Sequence, residues 1–331
     1  MKFKIRRDIS ESCDTDIKIL ASYYGAVKRG DGRAAYKLGT LYYLGEKVPK
    51  DDRKALFWYE KAIELGYVDI DSILGCGYCQ LATWYEYGWG CEPNIEKALE
   101  YYEKALEMGD GNAAYKLGLL YHEGKEVEKD YRKALLMLKR SLELGHSCQP
   151  STTYWHIGQM YEHGEGCEAD FEKAREYYEE AAKKGSIHGI IAIGAMYEHG
   201  LGCEPDIIKA IEYYEKAVKM DGWELCDGCD AANRLGDLYY SGEKVEKDYK
   251  KALQWYERTS TEALDIERSG RIGYMYEYGE GCEQNYVSAA YYYDLSAKRM
   301  RRYAKLRYGL TDEQLAEQTD SDFCFWEDDF E

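Results

Sequence analysis

Positive charge is scarce in this chain. Its 44 Lys and Arg face 62 Asp and Glu, leaving a net charge of −18 and a pI near 4.9. General nucleic-acid binding needs Lys and Arg to neutralise phosphates, so that class is disfavoured. Attraction to anionic membrane surfaces is disfavoured for the same reason. Long apolar runs are missing too: none reaches the roughly 20 residues that span a bilayer. Met1 to Asp8 carries Lys2, Lys4, Arg6 and Arg7 with no apolar segment behind them, so it does not read as a secretory signal, and the cytoplasm is the expected compartment. Catalytic signatures are absent as well. There is no G-x-S-x-G, no P-loop, and no G-x-G-x-x-G between a strand and a helix. With 62 acids, paired carboxylates arise by chance and point to nothing. Proline is rare, at 4 residues, whereas there are 35 Tyr and 32 Gly. Such a bias arises when one local pattern is copied many times.

Apolar content of 45% is too high for a disordered chain. At 331 residues the alternatives are two or three globular domains, or a repeat protein whose core grows in one dimension. Self-similarity decides between them. Seven times a small residue (Gly39, Ala82, Gly118, Gly158, Gly194, Gly236, Gly273) is followed after three positions by Tyr (Tyr42, Tyr85, Tyr121, Tyr161, Tyr197, Tyr239, Tyr276). Three further on comes Gly (Gly45, Gly88, Gly124, Gly164, Gly200, Gly242, Gly279), and nine beyond that Lys-Ala, or Ser288-Ala289 in the last copy. Start-to-start spacings are 43, 36, 40, 36, 42 and 37 residues.

Each copy reads as two helices. The first places Ala35, Leu38, Gly39 and Tyr42 at helical spacing, and Gly45 stops it where a positive φ is cheap. The second opens at Asp51, Asn94, Asp130, Asp170, Asp206, Asp248 or Asn285, all good N-caps. It is expected to bury the Ala of Lys-Ala, an aromatic three residues on (Trp58, Tyr101, Tyr177, Tyr213, Trp255, Tyr292) and a small residue such as Ala62 or Ala105. Gly66, Gly109, Gly145 and Gly185 end it. One such pair cannot bury its apolar face alone, but a stack can.

The pattern A-x-x-x-L-G-x-x-Y-x-x-G-x-G-[V/C]-x-x-D-x-x-K-A-x-x-[W/Y]-Y-x-K-A resembles the Sel1-like repeat family, relatives of the tetratricopeptide repeats. Residues 194–217, GAMYEHGLGCEPDIIKAIEYYEKA, match nearly throughout. The resemblance implies an all-α, right-handed α-solenoid of about seven helix-turn-helix repeats. It divides the chain into residues 1–31, an N-terminal segment with a half-repeat cap; 32–300, the repeats; and 301–331, a closing helix with an acidic aromatic tail. It also implies a scaffold, since family members serve in protein quality control, signalling and host–microbe contact. Insertions at 66–78, 145–153 and 221–230 are expected to form longer loops.

Several features could carry chemistry. Cys91, Cys167, Cys203 and Cys282 occupy one repeat position, held elsewhere by Val48, Val127 and Val245, and so read as small buried hydrophobes. Some secreted relatives clip each repeat with a disulfide, but that needs two matched cysteines per repeat; reduced thiols are expected here. Cys76-x-x-Cys79 and Cys226-x-x-Cys229 lie four repeats apart, too far to share one tetrahedral metal at roughly 10 Å per unit. Each pair is incidental, a half-site for metal or redox chemistry, or a site completed by a second molecule. His163 and His199, each preceded by Glu, read as solvated or partner-contacting side chains or as metal ligands. The recurring G-x-G joins two helices and is turn chemistry.

The favoured reading is a non-enzymatic scaffold or adaptor without cofactor or metal, holding a protein or peptide on a concave face. In tetratricopeptide solenoids first helices line that face. The resemblance therefore implies contact positions at Tyr36, Tyr43, Tyr87, Tyr115, His122, Trp155, Glu162, His163, Glu198, His199, Tyr240, Tyr274 and Tyr278. Rigid aromatics among acids suit an extended peptide or a helix anchored by Arg or Lys; alternatively these rings pack between repeats. Two other classes stay open: a metal-binding protein or enzyme using the His/Glu and C-x-x-C positions, and a structural protein that self-associates end to end. Residues 310–331 carry nine acids and no Lys or Arg, with Phe323, Phe325, Trp326 and Phe330 among them. They read as a solubilising tail, a docking motif or a plug.

Overall fold

The computed structural model describes residues 18–68, 77–145, 150–220, 228–259 and 264–308, with side chains to residue 300. All regular structure among them is helical. Helix α1 covers residues 18–28. The seven first helices are α2 (Gly32–Leu44), α4 (Gly77–Tyr87), α6 (Gly111–Glu123), α8 (Pro150–His163), α10 (Ile187–His199), α12 (Cys229–Ser241) and α14 (Ile266–Tyr278). The seven second helices are α3 (Asp52–Glu64), α5 (Ile95–Glu107), α7 (Tyr131–Leu144), α9 (Phe171–Lys183), α11 (Ile207–Met220), α13 (Tyr249–Tyr256) and α15 (Tyr286–Tyr308). The chain forms two compact units, residues 1–184 with α1 to α9 and residues 185–331 with α10 to α15. In each, every first helix packs mainly on the second helix that follows it.

The turn inside a repeat is fixed by three interactions. Its Gly takes a left-handed backbone in all seven copies, with φ between 64° and 72°. The N–H of the N-cap residue then donates to the carbonyl of the repeat Tyr, from Asp51 to Tyr42 at 2.9 Å through Asn285 to Tyr276 at 2.8 Å, seven times in seven. Finally the cap side chain accepts from the N–H three residues on, as Asp51 does from Lys54 and Asn94 from Lys97. These bonds satisfy backbone groups that a helix end otherwise leaves open. They also explain why the distance from Gly to Lys-Ala never varies.

The buried aromatic sits one position later than the periodicity suggests. Tyr102, Tyr178, Tyr214 and Tyr256 are almost fully buried, whereas Trp58, Tyr101, Tyr177, Tyr213, Trp255 and Tyr292 are half-buried. The cause is the small residue of the first helix. A Cβ added at Gly158, Gly194 or Gly236 would lie 2.5, 2.6 or 2.4 Å from the ring of Tyr178, Tyr214 or Tyr256. The missing side chain is the slot that the ring fills. The half-buried aromatics stack instead on the repeat Tyr, as in Tyr85–Tyr101 at 5.7 Å and Tyr197–Tyr213 at 5.7 Å.

The second Gly of G-x-G has a further role. A Cβ on Gly90 would come within 2.3 Å of the Asp52 carbonyl oxygen, and one on Gly166 within 2.4 Å of that of Tyr131. This turn therefore seats on the start of the preceding second helix, an approach open only to Gly. At the chain ends, α1 packs on the first repeat through Tyr24, whose hydroxyl lies 3.0 Å from that of Tyr42 and whose ring meets Trp58 edge-on. Residues 301–308 continue α15 without a break. Helix α4 begins at Gly77 and α8 at Pro150, so the inserted segments give way to helix before residues 78 and 153. The centres of those insertions lie outside the described residues.

Candidate functional site

The residues just before the turn Gly come from the last turn of each first helix, at the exposed end of the repeat. In the first unit some of them build a chain of rings together with Trp89, which follows the turn Gly88. Tyr43 meets Trp84 edge-on at 5.3 Å, Trp84 meets Trp89 at 5.8 Å, and Trp89 stacks on Tyr87 at 5.6 Å. Trp84 is buried, but Tyr43, Tyr87 and Trp89 keep 38%, 53% and 41% of their surface exposed. The Lys50 ammonium lies 5.4 Å from the Tyr43 ring centre and that of Lys116 5.5 Å from Tyr87. Exposed rings held edge to face by a buried Trp form a rigid apolar surface with cations at its border.

The other expected contact residues of this unit are engaged within it. Tyr36 is half-buried between Tyr59 and Tyr67 and donates to Gln80 at 3.3 Å. Tyr115 is buried rather than exposed, against His156. His122 is half-buried, and its Nε2 lies 2.8 Å from Glu165 of the next repeat. Trp155 is half-buried beside His156. Glu162 accepts the hydroxyl of buried Tyr178, and exposed His163 keeps its Nδ1 2.9 Å from the Gln159 carbonyl oxygen.

In the second unit Glu198 accepts from Tyr214 and from Lys244, both at 2.8 Å. Burial works to raise its pKa, but these two donors prevail and hold it below the usual glutamate value. His199 is exposed, with its Nδ1 3.5 Å from the Lys244 ammonium. Tyr240 is half-buried against Tyr249, under the Arg271 guanidinium at 4.9 Å. Tyr274 and Tyr278 are exposed and 4.6 Å apart.

Two recurring devices explain why so many tyrosines and acids are internal. The buried Tyr hands its hydroxyl to a carboxylate of the first helix, Tyr102 to Glu86 at 2.5 Å and Tyr256 to Asp237 at 2.8 Å, and exposed Tyr293 does the same to Glu277 at 2.7 Å. The Lys of Lys-Ala lies over the repeat Tyr, as Lys54 does at 5.3 Å and Lys209 at 5.1 Å, while its ammonium pairs with the cap Asp at 3.1 and 3.2 Å. The D-x-x-K spacing carried this signal in the sequence. Trp84, by contrast, sits at a position that is apolar but not aromatic in the other repeats, and Trp89 at one that is mostly charged, so the repeat pattern does not mark them as a ring pair.

The four cysteines at the Val position are unbridged and half-buried. The thiols of Cys203 and Cys282 donate to the Met196 and Met275 carbonyls at 3.6 and 3.5 Å. Burial pushes the Cys91, Cys167 and Cys282 thiols up, away from the thiolate that metal binding or redox chemistry uses. Cys79 and Cys229 are buried, while Cys76 and Cys226 lie outside the described residues. Among the described residues no three His, Cys, Asp or Glu side chains come together as a metal site. No described helix is long and apolar enough to cross a membrane. Phe323, Phe325, Trp326 and Phe330 also lie outside the described residues.

Comparison with known proteins agrees with this architecture. The Sel1 repeat matches at residues 32–67, 77–110, 111–146, 153–186, 188–222, 229–262 and 271–299. The crystal structure of a Sel1 repeat protein from Oxalobacter formigenes is similar with a TM-score of 0.70 at 24% identity, over 91% of this chain and 80% of that one. A protective antigen of uropathogenic Escherichia coli strains, displaying the same fold, gives 0.69 at 26% identity, over 90% of this chain and 64% of that one. The ERAD-associated E3 ubiquitin-protein ligase component HRD3B of Arabidopsis thaliana is 32% identical over 123 residues, which span 37% of this chain and only 18% of that protein. Arrays of this repeat are in general non-catalytic scaffolds for protein interaction. Seven matched repeats covering well over half of the sequence, folded as an all-α solenoid, place the chain in the Sel1 repeat family.

Proposed function

We propose that this protein is a non-enzymatic, cytoplasmic adaptor that holds a protein or peptide on the surface formed by its first helices. The observation that carries this is the ring cluster Tyr43, Trp84, Tyr87 and Trp89, three of whose members are exposed although neighbouring rings are packed away. Exposed aromatics fixed in place lose little entropy on binding, which suits them as anchors. Lys50 and Lys116 already cover faces of Tyr43 and Tyr87, so apolar or aromatic partner side chains fit this cluster better than cationic ones. Tyr274 and Tyr278 offer a second, smaller contact in the other unit. Tyr36, Tyr115, His122, Trp155, Glu162, Glu198 and Tyr240 are engaged with other side chains of the array, and His163 and His199 remain exposed positions of the proposed face. The Arabidopsis relative is by name a component of a ligase assembly, which supports a partner-holding role.

The test is affinity capture from native lysate, read by mass spectrometry, with wild type beside Tyr43→Ala/Tyr87→Ala/Trp89→Ala. All three side chains are exposed, so helicity should be unchanged, as circular dichroism can verify. A protein retained by wild type and lost by the variant supports the reading. Equal retention by both would remove this surface from consideration.

A further inference from the structure

Helix α15 carries an apolar face that the described structure covers only at Tyr293, whose ring meets Gly273 and whose hydroxyl donates to Glu277 at 2.7 Å. Tyr286, Ala290, Tyr293, Ala297 and Met300 follow one another at spacings of 4, 3, 4 and 3 and are all exposed. That spacing sets them in one stripe along the helix. Inside the same unit the equivalent face is closed. Tyr256, the counterpart of Tyr293, is 0% exposed against 38%, and Leu253, the counterpart of Ala290, is 6% exposed. Helix α14 follows and packs on α13, whereas the last matched repeat ends at residue 299, within α15.

We propose that the stripe is a docking surface for the chain's own acidic aromatic segment, residues 311–331, which packs on α15 as α14 packs on α13. Connectivity favours this occupant, because the tail starts within three residues of the end of α15 at Tyr308. Reach suffices: at about 1.5 Å per helical and 3.3 Å per extended residue, some 20 residues run back past Tyr293. Shape agrees. Phe323, Trp326 and Phe330 stand at i, i+3 and i+7, so a helical tail presents three rings on one side. Ala290 and Ala297 leave notches between the larger side chains of the stripe, where rings can seat. Charge agrees as well. Lys298, Arg299, Arg301, Arg302, Lys305 and Arg307 crowd the last turns of α15, and the tail has nine acids and no Lys or Arg. Among the described side chains Lys298 is paired with Asp294 and Arg299 donates to Ser269.

Hydrogen exchange of the full-length protein tests this. At low salt the amides of residues 323–330 should exchange about tenfold or more slowly than an unstructured chain. Ala290→Glu/Ala297→Glu alters two exposed positions, adds acid where an acidic segment docks, and should return those amides to the unstructured rate. Exchange across α10 to α14 should stay as in wild type, showing that the repeats are intact. The proposal is overturned if the wild-type tail exchanges at the unstructured rate, or if the variant keeps the protection. Protection that vanishes on hundredfold dilution would assign the stripe to a second copy of the chain and overturn it too.

Discussion

Replacing Gly194 by Ala should destabilise the protein, although the same change in an exposed helix would stabilise it. Gly194 lies inside α10, and an added Cβ would sit 2.6 Å from Cε1 and 2.8 Å from Cδ1 of Tyr214. That ring is 0% exposed and its hydroxyl is tied to Glu198, so it has nowhere to turn. Inserting a carbon into a filled core costs about 1–3 kcal/mol. Better helix propensity and a less flexible unfolded chain return about 1 kcal/mol. The net loss is about 1 kcal/mol, a fall in urea midpoint on the order of 0.5 M for ordinary slopes. Gly270 supplies the control. It is also helical, in α14, but its added Cβ meets nothing within 4 Å, so Gly270→Ala should gain about 1 kcal/mol. Repeat 2 carries Ala82 above a fully buried Tyr102, which shows that a backbone can adapt to the larger residue over a whole repeat. Urea unfolding followed by circular dichroism and by fluorescence measures both variants and reveals whether the repeats melt together. In Gly194→Ala/Tyr214→Ala the clash is gone, and the pair should cost no more than Tyr214→Ala alone. A midpoint raised by Gly194→Ala would refute the slot reasoning outright.

Three further outcomes follow from the geometry. Asn94→Ala should lose about 1 kcal/mol in urea unfolding because the Lys97 N–H loses its acceptor, while Asn94→Asp, the residue used by five other repeats, should keep the stability. Glu198 has a folded pKa below its ordinary value, so its contribution is present above the ordinary glutamate value of about 4.3 and lost as pH falls through the lower folded one. Glu198→Gln should therefore flatten the acid side of the stability curve measured by urea midpoints between pH 3 and 6 (roughly the range around that value), and an unchanged slope would contradict the Lys244 and Tyr214 bonds. Burial first, then the Tyr42 contact, pushes Tyr24 up to about 12, and burial pushes Tyr59 up to about 12. Their raised pKa favours the fold below the ordinary value of 10.0 and loses that stabilisation as pH rises toward 12, so spectrophotometric titration near 295 nm (roughly the phenolate band) should show late-titrating tyrosines that unfolding in urea restores to 10.0.

Much of the fold was legible because it is local. Turn Gly, N-cap and Lys-Ala recur at fixed offsets, and each acts within a few residues of itself. The buried ring lies one position beyond the one the periodicity nominates, because Tyr-Tyr pairs such as Tyr213-Tyr214 offer two candidates of equal hydrophobicity. Only the slot opened by Gly194 in another helix chooses between them. The candidate surface was less legible. First-helix spacing nominates Tyr43 and Tyr87 but equally Tyr115, which is buried, and Glu162 and Glu198, which accept hydroxyls of buried tyrosines. Trp84 and Trp89 are not legible from the repeat, because no other copy carries an aromatic ring at either position.

The sequence by itself determined the repeat number, the turn and N-cap inside each repeat and the all-α class, since these rest on short-range backbone chemistry copied seven times. The tertiary structure alone decided which of two adjacent rings fills each slot, which acids serve buried hydroxyls, and which aromatics stay in water. Those outcomes depend on what the neighbouring helix leaves open, and that vacancy is set by packing between segments distant in the chain.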